Sequence, residues 1–395
     1  MIFLHSSMPI KSVYIFTFIV VFTLKLSSGL NIPETIDVRI FSGNNISEFT
    51  FMPTKGRYLI CDQNHNKLSE ISPLTSLTIK RNQKGFEILQ DDSVIFSGKN
   101  IVLQGGSFQN SFLIAPSGNH LQARIYDGDI RIRYENNQVN IINAVSLESY
   151  VAGTVQSESG FNRHEEFYKV QAIIIRTYAL NNLRRHQREG FHVCDLVHCQ
   201  AYYGKTVNPD IVRAVEHTRG QVVVDNRSAL INTVYHANCG GQTVNSEDLW
   251  PHAMDYLRSR IDTFCLSMPG AKWEKSISMR ELRSFLSQKH KFQPNESQWS
   301  QIKELKQNSR IHHLDAQQEV HLRHVRDHFG LRSTFFSVQE QNDTLFLSGR
   351  GYGHGVGLCQ EGAMKRAEHG HSLREILGFY YQNSRILTLE PEVVF

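Results

Sequence analysis

The chain has 395 residues, 40% of them hydrophobic and 20% charged, with no low-complexity run; this is an ordinary globular composition, long enough for two domains or one large one. Its net charge of +4 is weak and dispersed, and without a basic stripe, an RNA-binding signature or zinc-finger spacing it gives no reason to expect a nucleic-acid partner. There is no G-x-S-x-G elbow, P-loop or H-E-x-x-H, so serine-hydrolase, nucleotide-hydrolysing and zincin chemistries lack their usual marks.

At the N-terminus Lys11 precedes an apolar run, Val13 to Leu24, and Ser27-Ser28-Gly29 follows. A positive flank, a short apolar stretch and small residues are the parts of a secretory signal, and this run is short for a membrane span. Residues 1–29 are therefore expected to be a signal peptide cleaved after Gly29, or, in the alternative, an uncleaved membrane anchor. Either way the rest of the chain works outside the cytoplasm, in the periplasm or cell envelope. Six cysteines are few for this length; an exported chain can keep disulfides, but spacing does not give their connectivity.

Residues 30–143 form a β-rich region. Short runs such as Ser76–Lys80, Val94–Phe96 and Leu121–Ile125 alternate apolar and polar residues, and Gly or Asn/Asp pairs separate them. Asp127-Gly128, between two such runs, reads as a hairpin turn. The character changes near Val145, and residues 144–390 are expected to form a mixed α/β domain. The fold class is thus α+β.

Leu147, Val151, Thr154 and Glu158 fall on one stripe of a helix running from about Leu147 to Glu158, and Gly160 is a fitting stop. A carboxylate closing an apolar stripe is costly unless used or paired. Burial and the helix C-terminus would both raise its pKa, as a general acid working near neutrality requires. The alternative is an exposed glutamate in the last turn. Asn162 with Glu165 reads as a capping box opening a second helix that is apolar nearly all round and hence buried. Gln171 and Arg176 lie on it, and Arg184, Arg185 and His186 suit its last turn.

Cys194, His198 and Cys199, with His186 and His192 just before them, can supply a tetrahedral zinc site, although the spacing is not that of a common zinc module. A Cys194–Cys199 disulfide or free buried thiols are the competing readings. Residues 219–236 return to strand character and lead into Tyr235–Thr243, where Cys239 is expected to pair with Cys265; a His236–Cys239 ligand pair competes. Ser246, Glu247 and Trp250 suit a carbohydrate groove, since an indole stacks on a sugar face and carboxylates accept hydroxyl hydrogen bonds. A loop with a packed Trp fits the same residues.

Residues 276–290 read as a helix, and Ser333–Leu347 as two strands around Gln341–Asp343. Glycine then occupies every second position from Gly349 to Gly357. In an extended chain these would share one bare side that another segment or an extended ligand can approach, with Arg350, Tyr352 and His354 on the other side. Ser372 with Glu375 is a capping box for a last helix.

At these residues the chain resembles the sporulation stage II protein D (SpoIID) family, which includes the LytB amidase-enhancer proteins. The matching pieces are LESYVAGTVQSESGF, KVQAIIIRTYAL, CDLVHCQAYYG, AVEHTRGQVV, YHANCGGQTVNSEDLW, LRSTFFSV, GRGYGHGVGLCQEGA and ILGFYY, in the family's order over about residues 120–385. The resemblance implies a lytic transglycosylase that cuts peptide-free peptidoglycan strands between N-acetylmuramic acid and N-acetylglucosamine, in sporulation or division. It implies Glu158 as the single acid and base, with the C6 hydroxyl of the substrate closing a 1,6-anhydro ring. Gln171, Arg176, Ser246, Glu247, Trp250, Tyr352, His354 and Gln360 would line the groove. Where the family pattern has Ala-Glu-Met, this chain has Ser157-Glu158-Ser159. Some members bind zinc through residues matching Cys194, His198 and Cys199, with His186 or His192 as the fourth ligand here. The family also implies an alternative, a non-catalytic enhancer that binds a cell-wall amidase or the glycan.

Overall fold

The computed structural model describes residues 32–389, apart from 108, 119, 120 and 316; the expected signal segment, 1–29, lies outside these residues. The chain is α+β, with a β-rich N-terminal region followed by a mixed one.

The N-terminal strands form two sheets. One has seven strands, in the order Val193–Cys194, Thr35–Ile40, Gln138–Ser146, Asp129–Glu135, Asn100–Gly105, Tyr58–Cys61 and Lys67–Ile71. The other has six, in the order Arg124–Asp127, Ser111–Pro116, Glu48–Lys55, Leu77–Arg81, Phe86–Gln90 and Ser93–Gly98. Strand Thr35–Ile40 buries every second side chain, as a half-buried strand should. The inner faces meet through aromatic rings: Phe51 and Phe112 of the six-stranded sheet stack 5.2 Å apart, and Tyr58 of the other lies edge-on to Phe51 at 5.4 Å. Fully buried rings of this size are each worth about 1.5–3 kcal/mol.

Asp127-Gly128 is not a hairpin turn. Arg124–Asp127 pairs with Ser111–Pro116, whereas Asp129–Glu135 pairs with Gln138–Ser146 and Asn100–Gly105, so the chain changes sheets at this point. Asn143 secures the crossing by donating to the carbonyls of Asp127 (2.9 Å) and Asp129 (3.0 Å). The hairpin comes at Asn136-Asn137 instead, where both residues have positive φ, as a tight two-residue turn requires.

Strand Gln138–Ser146 runs directly into the first helix, α1 (Leu147–Ser159), with Ser146 as its N-cap. The position expected to divide two domains therefore falls within this strand, and one hydrophobic core continues from the sheets into the helices. The second helix, α2 (Glu165–Asn181), is buried along most of its length. His164, not Asn162, caps it: the ring Nδ1 accepts the Glu166 N–H at 3.2 Å, while Asn162 sits at φ 56 in the preceding turn. The helix ends before Arg184, Arg185 and His186. Helix α3 (Pro209–His217) packs on α1 and α2, and strand Gln221–Asp225 pairs with Ser384–Thr388 at the far end of the chain.

A second, smaller core gathers around Trp273, Phe285, Leu286 and Leu347. Here strands Lys272–Ser278, Thr344–Arg350 and Phe336–Gln341 form an antiparallel sheet, accompanied by α4 (Met279–His290), α5 (Glu296–Lys303) and α6 (Leu322–Phe329). This satellite leaves and rejoins the main body at adjacent points, because the Gly351 N–H donates to the Ala271 carbonyl at 2.9 Å. Helices α7 (Gln360–Glu368) and α8 (Leu373–Tyr380) return to the main core, and α8 carries the expected Ser372–Glu375 capping box.

Candidate active site

Glu158 occupies the last turn of α1 and is partly buried. Its Oε1 accepts the backbone N–H of Ala201 at 2.8 Å, and the Tyr235 side chain lies beside the same carboxyl. Burial raises its pKa, and these two neighbours only partly counter the rise. Among the described residues, no carboxylate contributes to this shift.

The 199–207 loop is tied closely to the end of α1. Ser157 Oγ donates to the Gly153 carbonyl (2.8 Å) and accepts the Tyr203 N–H (3.0 Å), so this serine fixes the loop. Gln156 holds the Thr206 hydroxyl (2.6 Å) and the Val207 N–H (3.1 Å). Gly153 and Gly204 allow the contact, since a Cβ on Gly153 would meet the Gly204 carbonyl oxygen at 2.2 Å.

Just before this loop, His186, Cys194, His198 and Cys199 point one ligand atom each into a common space, all within 4.8 Å of one another. His186 Nε2 lies 3.4 Å from Cys199 Sγ, and His198 Nδ1 lies 3.7 Å from Cys194 Sγ and 3.6 Å from Cys199 Sγ. The other nitrogen of His186 meets Glu189 at 2.5 Å, the carboxylate support usual for a metal-ligating imidazole. His192 is turned away and accepts the Asp37 N–H at 2.9 Å. Of the two histidines that spacing left open, His186 is the one that fits the donor set, which suits a four-coordinate thiophilic ion.

The glycine-rich segment is not a strand beyond Arg350. Gly351, Gly353, Gly355 and Gly357 all have φ between 73 and 111, a region that favours glycine. Close approach does occur, but the neighbour is the chain's own 234–244 segment. A Cβ on Gly357 would lie 2.2 Å from the Val234 carbonyl oxygen, and one on Gly351 would lie 2.7 Å from that of Asn238. The two segments join as a short parallel ladder, Tyr235–His236 with Leu358–Cys359.

The remaining residues expected in the groove divide by position. His354 lies beside Tyr235 and His236, its Nδ1 accepting the Val356 N–H at 3.1 Å, and Trp250 lies beside it with ring centroids 5.7 Å apart. Contacts thus run from Glu158 through Tyr235 and His354 to Trp250, which lines a cleft of about 1000 Å³ together with Asp248, His312, His313 and His321. Burial lowers the pKa of His354 to about 4, so its ring is neutral at pH 7. Tyr352 is half exposed with the Arg332 guanidinium over its ring. Gln171 is wholly buried and accepts from Gln360 Nε2 at 3.5 Å, while its own Nε2 is a buried donor without a partner.

Arg176 and Ser246 are engaged by the fold, whereas Glu247 lines the same cleft as Trp250 with its carboxylate already paired. Arg176 is wholly buried, makes a two-pronged ion pair with Glu148 (2.9 and 2.5 Å) and donates to the Gln221 carbonyl. Ser246 is buried and its Oγ accepts the Met254 N–H at 2.8 Å. Glu247 is bound on both oxygens by Arg258 (2.5 and 2.8 Å), which lowers its pKa. Tyr235 and the Ala201 N–H were not legible as partners of Glu158, because both reach it across long sequence separations. The expected Cys239–Cys265 disulfide is a pair of free thiols with sulfurs 3.4 Å apart, and His236 turns its Nδ1 to the Val356 carbonyl rather than toward Cys239.

Residues 135–224 match the family SpoIID, described as stage II sporulation protein. The chain is 27% identical over 267 residues to an uncharacterized protein of Brachyspira hyodysenteriae, covering 66% of this chain and 72% of that one. It is 27% identical over 271 residues to stage II sporulation protein D of Bacillus subtilis, covering 61% and 74%. To the amidase enhancer of Bacillus subtilis it is 24% identical over 286 residues, covering 59% of this chain and 40% of that protein.

Proposed function

The chain belongs to the SpoIID family of cell-wall proteins, and from that premise we propose that it is a peptidoglycan lytic transglycosylase with Glu158 as its acid and base. The observation that carries this reading is the seat of Glu158: one partly buried carboxyl, its pKa raised by burial, held by Ala201 and flanked by Tyr235. Glycosidases that use water need two carboxyl groups facing each other across the scissile bond. A transglycosylase needs one, because the attacking group is a hydroxyl of the substrate itself.

In the proposed cycle the Glu158 proton goes to the glycosidic oxygen as its bond to C1 of N-acetylmuramic acid breaks. The carboxylate then takes the proton of the C6 hydroxyl as that oxygen bonds to C1, which closes the 1,6-anhydro ring and restores the acid. Attack within one sugar supplies the proximity advantage. Tyr235 and the Ala201 N–H orient the carboxyl and stabilise it while it is charged. Trp250 offers a ring face for a sugar at the cleft.

A zinc ion held by His186, Cys194, His198 and Cys199 would have four protein ligands and no open position, so its role is structural. It would fix the loop that presents the Ala201 N–H to Glu158. The protein would act outside the cytoplasm on glycan strands, free or anchored through its N-terminal segment.

The test is a digest of peptide-free glycan strands read by mass spectrometry, beside Glu158→Gln. Products ending in 1,6-anhydro-N-acetylmuramic acid are expected, with turnover falling about 10²–10⁴-fold in the variant while glycan binding persists. Reducing ends would mean a hydrolase. No products from folded protein, with stimulation of a cell-wall amidase that survives Glu158→Gln, would favour the enhancer reading that one relative's name carries.

A further inference from the structure

A second cluster of ligating atoms lies in the main core, away from the His186 loop. The sulfurs of Cys239, Cys265 and Cys359 and a carboxylate oxygen of Asp262 all lie within 4.8 Å of one another. All four residues are fully buried. They come from three segments: the turn after Tyr235–His236, the stretch from Asp262 to Cys265, and the N-cap of α7. Cys239 Sγ is 3.4 Å from Cys265 Sγ and 3.7 Å from Asp262 Oδ2. Ligands at about 2.3 Å from a tetrahedral zinc ion sit about 3.8 Å from one another. A Cys239–Cys265 disulfide would account for two of these groups and not for the convergence of the Cys359 sulfur and the Asp262 carboxylate on the same space.

Charge supplies an independent observation. Arg310 is almost wholly buried, and its guanidinium donates only to neutral oxygens: Gln242 O (2.7 Å), Cys239 O (2.6 Å) and Thr334 Oγ1 (3.4 Å). Among the described residues it has no carboxylate partner, and a buried cation left so is costly. Arg366, also buried, meets Asp262 Oδ1 at 3.1 Å, and the Tyr380 hydroxyl donates to Oδ2 at 2.7 Å, the outer support typical of a ligating carboxylate. Cys359 Sγ receives the N–H groups of Cys239 (3.2 Å) and Gly362 (3.3 Å) at a helix N-terminus, so its sulfur is fixed in place facing the other three groups. Three thiolates and Asp262 would carry four negative charges. A divalent ion balances half of them, and Arg310 and Arg366 balance the rest.

We propose that Cys239, Asp262, Cys265 and Cys359 form a closed structural site for a thiophilic divalent cation of the zinc class. Four protein ligands leave no position open, so the ion takes no part in a reaction. It joins three segments beneath the candidate active site. The Tyr235–His236/Leu358–Cys359 ladder ends at the cluster, and Tyr235 lies beside Glu158. The ion therefore keeps the floor under the acid in place.

The test uses full-length protein carrying Cys194→Ser and Cys199→Ser, which disables the other cluster, prepared with zinc and analysed for metal. About one zinc per chain is expected to remain, and further substitution of Cys265→Ser and Cys359→Ser to lower it at least tenfold. Should the four-site variant fail to fold, cobalt in the two-site variant replaces that comparison: strong thiolate-to-cobalt absorption is expected. Zinc-free protein whose unreduced digest contains a Cys239–Cys265 disulfide, or cobalt-treated protein without that absorption, would overturn the proposal.

Discussion

At the scale of single residues, Glu158 and Arg176 show how differently two buried charges on neighbouring helices are used. Glu158 has a raised pKa, so over the interval from the ordinary glutamate value up to its folded value the native state holds a proton that the unfolded chain has lost. Stability then falls as pH rises through that interval and stays lower above it. Glu158→Gln, which can keep the Ala201 hydrogen bond, should melt higher than the parent at pH 7, with the gain vanishing below the ordinary glutamate value; thermal melts across that range check it. Arg176 is the reverse case, fully paired and engaged by the fold. Arg176→Met leaves Glu148 uncompensated and should cost about 3–5 kcal/mol, read as a lower urea midpoint. A substrate-binding residue would instead weaken glycan binding and leave that midpoint in place. From sequence both residues appeared only as charges on apolar helices; what separates them is the partner each meets across the fold.

At the scale of elements, local signals were legible and non-local ones were not. The Ser372–Glu375 capping box and the extent of α1 depend on residues within one or two turns, and both appear where the pattern puts them. Asp127-Gly128 has the composition of a hairpin, but its flanking strands find partners in different sheets. The alternating glycines imply a bare strand face only if the backbone is extended, and the positive φ of four of them removes that premise. Gly357→Ala tests the geometry. Its Cβ would meet the Val234 carbonyl oxygen at 2.2 Å in a conformation alanine disfavours, so a loss of about 1–3 kcal/mol is expected from the overlap together with, on the proposed function, less 1,6-anhydro product in the glycan digest. Gly370→Ala, where a Cβ meets nothing within 4 Å, bears the backbone strain without the overlap. It should destabilise less and leave turnover unchanged.

At the scale of the whole molecule, the candidate site is assembled from α1, the 199–207 loop, the Tyr235–His236 ladder and the glycine-rich segment. That is why sequence could single out the acid but not its surroundings. Burial lowers the pKa of His354 to about 4 and that of His236 well below its ordinary value. Between about pH 6.5 and the folded values the unfolded chain binds protons that the native state does not, so stability is lost as pH falls through that window. His354→Gln should flatten this acid limb, which urea titrations between pH 4 and 7 would reveal.

The satellite of residues 272–350 departs and returns at adjacent points, where the Gly351 N–H meets the Ala271 carbonyl, and Arg310 ties it back to the main body through the carbonyls of Gln242 and Cys239. A chain that exits and re-enters at one point can be shortened, lengthened or exchanged at a closure cost that changes by only about 0.6 kcal/mol per doubling of length. The satellite can thus change in length away from Arg310 without displacing the main core. It also forms one wall of the cleft beside Trp250. The shape of that cleft could therefore diverge between relatives while the seat of Glu158 stays in place.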